Sequence, residues 1–503
     1  MAVEYDLIVV GDTRAGIYAA VAATLLNARV ALIAQQPANK HSHGIYSRTL
    51  MQTAAGTRGQ GGAGEEDTGT WGRVDAGRIA EHNNSPSRRV SPSPHQSRRD
   101  FSSSPSLGIE WAEEVIWTLA EQDSPAVLAS LGVDVITGAG QFSRDVAFLV
   151  NNRRLLARAY LIATGTRPVI PDIDGLQNAG YITPTEIWQP ERLESLPKRL
   201  AVIGGTPMGT ELAQSLARMG REVTLVVGSA QVLPPEDSET SRLVRAQLEA
   251  EGVRVLTETP VTEIKQIQES KWVQAGSRAI ESDEIILAAG TEPEIEGLNL
   301  EAVGVRFWAR GIKLNQKLQT TNPRIYACGG VAGGYPFDHI AQYEAGIALK
   351  NALFLPLFKV NYRSIPWAIF TEPQLARVGL TEVQARRRYS DILIVRQEFK
   401  SIAQALVLGE MTGFCKFVVR RNGEILGVHI VGPEASELMG EIALAMRNKI
   451  KMDAIANLPH PSLTLSEITQ KTAIEWQRQR LHRNQTLKKF LDSFFNLRRN
   501  WSN

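Results

Sequence analysis

The order of apolar and polar positions is most informative between residues 200 and 229. An apolar run at 201–203 predicts a buried strand, apolar side chains on one face predict a helix at 211–219, and an apolar run at 223–227 predicts a parallel strand. The turn between the first strand and the helix carries three glycines, which are Gly204, Gly205 and Gly209. Glycines at this junction allow a tight turn and a close approach of the backbone to a phosphate. The segment therefore predicts a βαβ dinucleotide-binding unit.

The same pattern opens the chain. Apolar runs at 5–10 and 29–33 predict two strands, and helical spacing predicts a helix at 17–26 between them. Gly11 and Gly16 lie in the connecting turn. Two such units in one chain predict that two related domains bind two dinucleotides.

Two more motifs complete the pattern. The sequence YLIATG occupies 160–165 and TTNPRIYACGGV occupies 320–331, and a GYPFDHIAQYEAG segment follows. In order and spacing, the four motifs resemble the class-I pyridine nucleotide–disulfide oxidoreductases, which include dihydrolipoamide dehydrogenase, glutathione reductase and mercuric reductase. The resemblance covers residues 4–50 and 107–470.

The resemblance implies an α/β fold with two Rossmann-like dinucleotide-binding domains and an α+β C-terminal dimerisation domain. It implies FAD in the first unit, NAD or NADP in the second, and a homodimer. The expected domains are 1–165 (FAD-binding, with a low-complexity insertion at 56–106), 166–290 (NAD(P)-binding), 291–355 (second part of the FAD domain), 356–470 (dimerisation) and 471–503 (a basic amphipathic extension). The expected FAD contacts are Gly11, Gly16, Ala163, Thr164, Gly165, Gly329, His339 and Ala341, and the expected NAD(P) contacts are Gly204, Gly205, Gly209, Glu211 and Gly290. For His339, a helix-cap or core position is the competing interpretation.

Five positions depart from the family pattern. Thr13 and Thr206 replace the middle glycine of each turn, and a β-branched side chain there is expected to crowd the diphosphate. Ala34 and Val227 stand where an acid would bind the ribose hydroxyls, and Gly330 stands where an aspartate would bind the ribityl chain. The losses at Thr13, Ala34 and Gly330 predict weak or absent FAD binding, and they leave open whether the first unit binds a dinucleotide at all. Nothing in the second unit selects NADH or NADPH.

The expected redox thiols are missing. The family carries a C-x4-C pair whose positions fall near Lys40 and Ile45, and neither residue is a cysteine. The two cysteines of the chain, Cys328 and Cys415, lie far apart and are expected to be buried, unreactive thiols. Without a thiol pair there is no disulfide relay from flavin to substrate.

Composition adds further limits. The net charge of +2 over 503 residues gives no reason to expect nucleic-acid binding. With two cysteines, no signal peptide and no apolar run long enough to span a bilayer, the sequence predicts a cytoplasmic protein, with peripheral membrane contact as an alternative. Residues 56–106 are rich in Gly, Ser, Pro and Arg, which predicts a disordered linker, a reading-frame error or a phosphate-binding tract.

The C-terminal region holds two further candidates. His460 and Glu467 resemble the family's catalytic His–Glu pair, but alignment of the glutamate places the base at Ser462. The extension carries an apolar helical stripe of Leu487, Phe490, Leu491, Phe494 and Phe495, with basic residues beside it and Trp476 and Trp501 at its ends. Such a helix lies on an anionic membrane or packs on its own dimer.

Three functions compete. The first is an FAD-dependent NAD(P)H oxidoreductase that passes hydride to a non-disulfide small-molecule acceptor such as a quinone, a dye or oxygen. The second is a pseudoenzyme that kept the dimeric scaffold. The third, a disulfide or mercuric reductase, is disfavoured by the missing thiols. No catalytic residue and no metal site is assigned.

Overall fold

The computed structural model describes residues 3–35, 48, 105–188 and 190–501. Its first sheet has five parallel strands whose side chains are mostly buried, as expected of a parallel sheet that is covered on both faces. In spatial order the strands are Ile325–Ala327, Ala157–Ile162, Tyr5–Val10, Val30–Ala34 and Val133–Thr137. Helices Arg14–Thr24 and Asp338–Leu353 pack together beside this sheet. The predicted helix at 17–26 therefore starts and ends earlier than expected.

The second sheet repeats the arrangement. Its four parallel strands are, in spatial order, Arg254–Leu256, Glu222–Val226, Arg199–Ile203 and Glu284–Leu287. Helices Pro207–Arg218 and Ser238–Ala250 connect them. An antiparallel sheet of Val261–Ile267, Ser270–Ala275 and Arg278–Ser282 lies in the same domain. Both predicted Rossmann-like units are thus present in the described part of the chain.

The third large sheet is antiparallel. Its strands are Pro366–Ile369, Gln374–Gly379, Ile425–Gly432, Phe414–Arg420 and Ile392–Glu398 in spatial order. The helices that follow are Ala435–Arg447, Met452–Asn457, Glu467–Arg483 and Gln485–Trp501. The core of this domain includes Trp476, which is fully buried. Trp476 therefore does not belong to the exposed amphipathic extension, and the expectation that it bounds that stripe was wrong.

Shorter elements connect these sheets. They are the helices Pro105–Gln122, Pro125–Ser130, Leu176–Ala179, Pro184–Ile187, Pro190–Glu194, Glu382–Arg386 and Ala403–Leu408, and the strands Gly140–Phe142, Phe148–Val150, Arg153–Leu155, Thr166–Pro168, Thr291–Pro293, Phe307–Trp308 and Gly311–Ile312. The predicted α/β class with a mixed C-terminal domain is confirmed. The predicted insertion lies outside the described residues except for its last two, which begin the helix at Pro105. In the described ranges no helix is long and apolar enough to cross a bilayer.

Candidate functional site

The first glycine turn closes tightly on the strand that precedes Gly165. Gly11 has φ +108°, and a Cβ added to it would lie 2.4 Å from the carbonyl oxygen of Ala163. A Cβ at Gly16 would lie 2.1 Å from the carbonyl oxygen of Gly11. Both positions therefore require glycine for packing within the protein, whether or not a ligand is bound.

Thr13 has a role that the sequence did not indicate. Its hydroxyl donates to the carbonyl of Ala163 at 2.8 Å and accepts from the backbone N–H of Gly16 at 3.3 Å. The residue is the N-cap of helix Arg14–Thr24. We expected Thr13 to crowd the diphosphate, but its side chain is turned toward Ala163 and ties the turn to the neighbouring strand.

The second turn repeats this device. The Thr206 hydroxyl donates to the carbonyl of Ala288 at 2.9 Å and accepts from the N–H of Gly209 at 3.1 Å. Gly204 has φ +124°, and a Cβ there would lie 2.2 Å from the same Ala288 carbonyl. Gly205 leaves no room for a side chain either, because an added Cβ would lie 2.7 Å from Val227. Thr13 and Thr206 therefore make equivalent hydrogen bonds in the two turns.

The end of the strand that leads to Thr164 meets the later glycine motif. Thr164 is buried and donates to the carbonyl of Glu294 at 2.6 Å. A Cβ added to Gly330 would lie 2.5 Å from Cγ2 of Thr166 and 3.3 Å from the carbonyl carbon of Gly165. Thr166 therefore occupies the space that the side chain of an aspartate at position 330 would need.

A buried carboxylate organises the loop at Gly329. Glu344 accepts from the N–H of Gly329 at 2.7 Å and from the hydroxyl of Tyr362 at 2.6 Å. Burial raises the pKa of Glu344 above the usual range. Burial also raises the pKa of the Cys328 thiol, as expected of an unreactive cysteine. The sequence analysis missed Glu344, because the burial of this residue in helix Asp338–Leu353 is seen only in the structure.

His339 links two domains at the surface. It is the second residue of helix Asp338–Leu353, whose N-cap is Phe337. Its ring Nε2–H donates to the carbonyl of Pro366, in the first strand of the C-terminal sheet, at 2.6 Å. His339 is exposed and is not the cap of this helix, so the interpretation of it as a helix-cap or core residue was wrong. Ala341 packs close to the loop at Gly329, because a Cβ added to Gly329 would lie 3.0 Å from the Ala341 Cβ.

Glu211 also joins domains. This side chain is buried, and its Oε1 accepts from the backbone N–H of Phe370 at 2.8 Å. One turn later, Gln214 donates to the carbonyl of Glu372 at 2.6 Å and accepts from its N–H at 2.9 Å. The expected NAD(P) contact Glu211 thus holds the second Rossmann helix against the C-terminal domain. Gly290 has φ +122° and follows strand Glu284–Leu287, the last strand of the second Rossmann-like sheet along the chain.

A buried ionic cluster crosses the same boundary. Lys416 lies 3.0 Å from Asp237 and 2.8 Å from Glu382. Burial would raise the pKa of Asp237, but neighbouring His429 and Lys416 outweigh burial and lower it. His429 is fully buried, and burial together with the charge of Arg377 lowers its pKa to about 4. The sequence analysis did not identify this cluster, because Lys416 and Glu382 lie far from Asp237 along the chain.

The candidate catalytic base has another partner. His460 Nε2 lies 3.3 Å from Glu441, and the Thr469 hydroxyl lies 3.3 Å from both side chains. Glu467 instead accepts from the N–H of Leu463 at 2.8 Å. The structure therefore does not pair His460 with Glu467, in agreement with the spacing.

Residues 5–345 match the family described as pyridine nucleotide-disulphide oxidoreductase, and residues 365–473 match the dimerisation domain of the same family. A mercuric reductase of Bacillus cereus is 29% identical over 92% of this chain and 70% of its own length. A mercuric reductase of Staphylococcus aureus is 33% identical over 70% of this chain and 65% of its own length. The dihydrolipoyl dehydrogenase of Thermus scotoductus is 34% identical over 70% of this chain and 77% of its own length.

Among solved structures, the HOCl-induced flavoprotein disulfide reductase RclA of Escherichia coli superimposes with a TM-score of 0.76. It shares 23% sequence identity, and the alignment covers 93% of this chain and 99% of RclA. At this identity the likeness supports the fold alone. The chain spans 65% of the length of the Staphylococcus aureus relative.

Proposed function

The chain belongs to the pyridine nucleotide-disulphide oxidoreductase family, and from this premise we propose that it is an FAD-dependent NAD(P)H oxidoreductase that reduces an acceptor other than a disulfide. The observation that carries the proposal is the cysteine content. The sequence has two cysteines, Cys328 and Cys415, and both are buried in different cores. Burial raises the pKa of Cys415 to about 12, so that neither thiol is a ready nucleophile. The positions near Lys40 and Ile45 lie outside the described residues.

The residues at the phosphate end of the first unit fit FAD. The N-terminus of helix Arg14–Thr24 begins at a turn whose two glycines are packed against Ala163, and a helix N-terminus stabilises a diphosphate. The sugar end fits less well, because Ala34 and Gly330 offer no side-chain acceptor. When bound, FAD supplies the electron-transfer chemistry, so no protein nucleophile is needed.

The protein's own contribution is positioning. Glu344 holds the loop at Gly329, and His339 fixes the adjacent helix to the C-terminal domain. Glu211 and Gln214 fix the NAD(P) domain to that same C-terminal domain. Both dinucleotide domains are therefore tied by hydrogen bonds to the same C-terminal domain. The choice between NADH and NADPH is left open by Val227, which is apolar and buried.

The match of residues 365–473 to the dimerisation domain supports a homodimer. Relatives of the family use a C-terminal domain in this way, and the described C-terminal sheet with its helices provides the corresponding structure. We propose that this protein works as that dimer.

The test is a pair of measurements on the purified protein. The visible spectrum reports flavin content, and oxidation of NADH and NADPH is followed with a soluble quinone, lipoamide, glutathione disulfide or Hg(II) as acceptor. Of these acceptors, we expect only the quinone to be reduced. We expect the Cys328→Ala and Cys415→Ala variants to keep this quinone reductase activity. Reduction of a disulfide or of Hg(II) at about 1–1,000 per second would overturn the proposal.

The second candidate is a pseudoenzyme, and the lack of room for a side chain at Gly330, beside Thr166, favours it. This interpretation expects a stable dimer that purifies without flavin and does not acquire it when FAD is added. Stoichiometric FAD in the purified protein would contradict it.

A further inference from the structure

The final helix, Gln485–Trp501, lies beyond both family matches and exposes a large apolar surface. None of its described residues is buried. The exposed apolar side chains are Phe490 (64%), Phe494 (42%), Phe495 (50%), Leu497 (53%) and Trp501 (81%). We call Gln485–Trp501 the terminal helix. Its apolar surface is too concentrated to be the scattered exposure that is usual on a monomer.

The apolar residues share one face. At 100° per residue, all seven apolar side chains of the terminal helix fall within an arc of about 160°. Lys488 and Arg499 flank one edge of this arc, and Lys489 lies on the opposite polar face. Arg498 falls within the arc, near the C-terminal end of the helix. Phe490 and Phe494 stack with their ring centroids 6.3 Å apart along the apolar face. The pattern is that of a helix that lies in the plane of an interface.

The charge of the terminal helix indicates which kind of partner its apolar face binds. The terminal helix contains four Lys or Arg and one Asp, a net charge of +3, whereas the whole chain carries +2. The other residues therefore carry a net −1, so the terminal helix is more basic than the rest of the chain. Two terminal helices of a symmetric dimer would face each other with like charge, which opposes their pairing. An anionic lipid surface offers both the apolar interior and the opposite charge.

We propose that the terminal helix binds the surface of an anionic membrane and lies in its plane. Its apolar face enters the headgroup boundary, its lysines and arginines contact lipid phosphates, and Trp501 lies at the depth that tryptophan prefers. The binding surface lies outside the dinucleotide domains, so the proposal does not depend on flavin or on the electron acceptor.

The experiment is sedimentation of the full-length protein with vesicles of phosphatidylcholine, with or without phosphatidylglycerol. We expect binding to the anionic vesicles that weakens as salt is raised. The F490S/F494S variant should lose it, and the K488E/K489E variant should bind at least about tenfold more weakly. Trp501→Ala and Trp117→Ala form a matched pair, because both tryptophans are exposed, at 81% and 72%. Only Trp501→Ala should weaken binding.

Three results would overturn the proposal. The first is the absence of binding to anionic vesicles at low salt. The second is binding that is equal for the wild type and the F490S/F494S variant. The third is conversion of the dimer to a monomer by F490S/F494S in light scattering without vesicles, because the apolar face would then pack on a second copy. Circular dichroism of each variant checks that the chain is folded.

Discussion

Replacing Gly330 by aspartate should not restore tight FAD binding unless Thr166 is made smaller at the same time. The added Cβ would lie 2.5 Å from Cγ2 of Thr166, a distance that real side chains do not adopt. Overpacking of this kind costs about 1–3 kcal/mol. The Gly330→Asp variant should therefore be less stable than the wild type, with little gain in flavin.

The double variant Gly330→Asp, Thr166→Ser removes the methyl group that causes the clash. The new carboxylate is then free to accept a hydrogen bond from the ribityl chain, as the family resemblance implies. A hydrogen bond to a charged group contributes about 1.5–3 kcal/mol, which is about ten- to a hundredfold in the dissociation constant. The matched control is Gly330→Asn, Thr166→Ser, which has nearly the same shape without the charge.

Stability is measured by denaturant unfolding without flavin, and affinity by quenching of flavin fluorescence. The reasoning predicts that Thr166→Ser recovers the stability lost in Gly330→Asp, and that only the aspartate double variant gains affinity. If Gly330→Asp alone is as stable as the wild type and binds FAD more tightly, the contact with Thr166 does not limit the site. If the double variant recovers stability without a gain in affinity, the ribityl chain does not reach position 330.

Three further predictions follow from the contacts of single residues. Thr13→Ala should lower the free energy of unfolding by about 0.5–2 kcal/mol through loss of the N-cap, whereas Thr13→Ser should keep most of it, as denaturant midpoints would reveal. His429 has a folded pKa of about 4, below its unfolded value of about 6.5, so its contribution to stability is present above pH 6.5 and is lost as the pH falls toward 4. Across that pH range, the free energy of unfolding of the His429→Gln variant should fall by about 3 kcal/mol less than that of the wild type. If the two proteins have the same pH profile of stability, His429 is not buried in its neutral form. Sedimentation equilibrium should give twice 55.3 kDa, and a monomer at micromolar concentration would contradict the dimer.

The sequence predicted the parts of the fold that depend on local pattern. The strands and helices of both Rossmann-like units follow from apolar periodicity and from glycines at fixed offsets, all within about 30 residues of each other. The partners of Thr13 and Thr206 could not be predicted in this way, because Ala163 and Ala288 lie 150 and 82 residues away. Each threonine was therefore interpreted as a lost ligand contact, when it makes two hydrogen bonds within the protein.

The same distinction limits what missing family residues say about function. At Gly330 the loss of an acid coincides with a neighbour that fills its space, so the structure has changed around the loss. At Thr13 and Thr206 the loss of a glycine coincides with a cap that preserves the turn, so the structure has kept its shape through the loss. Thr13 and Gly330 concern different ends of the expected FAD site, whereas Thr206 stands in the second unit. The diphosphate end keeps its backbone geometry and helix N-terminus, whereas the ribityl end loses both its acceptor and the room for one. We therefore predict weak FAD binding with the phosphate contacts intact, which accounts for the replacements at both Thr13 and Gly330.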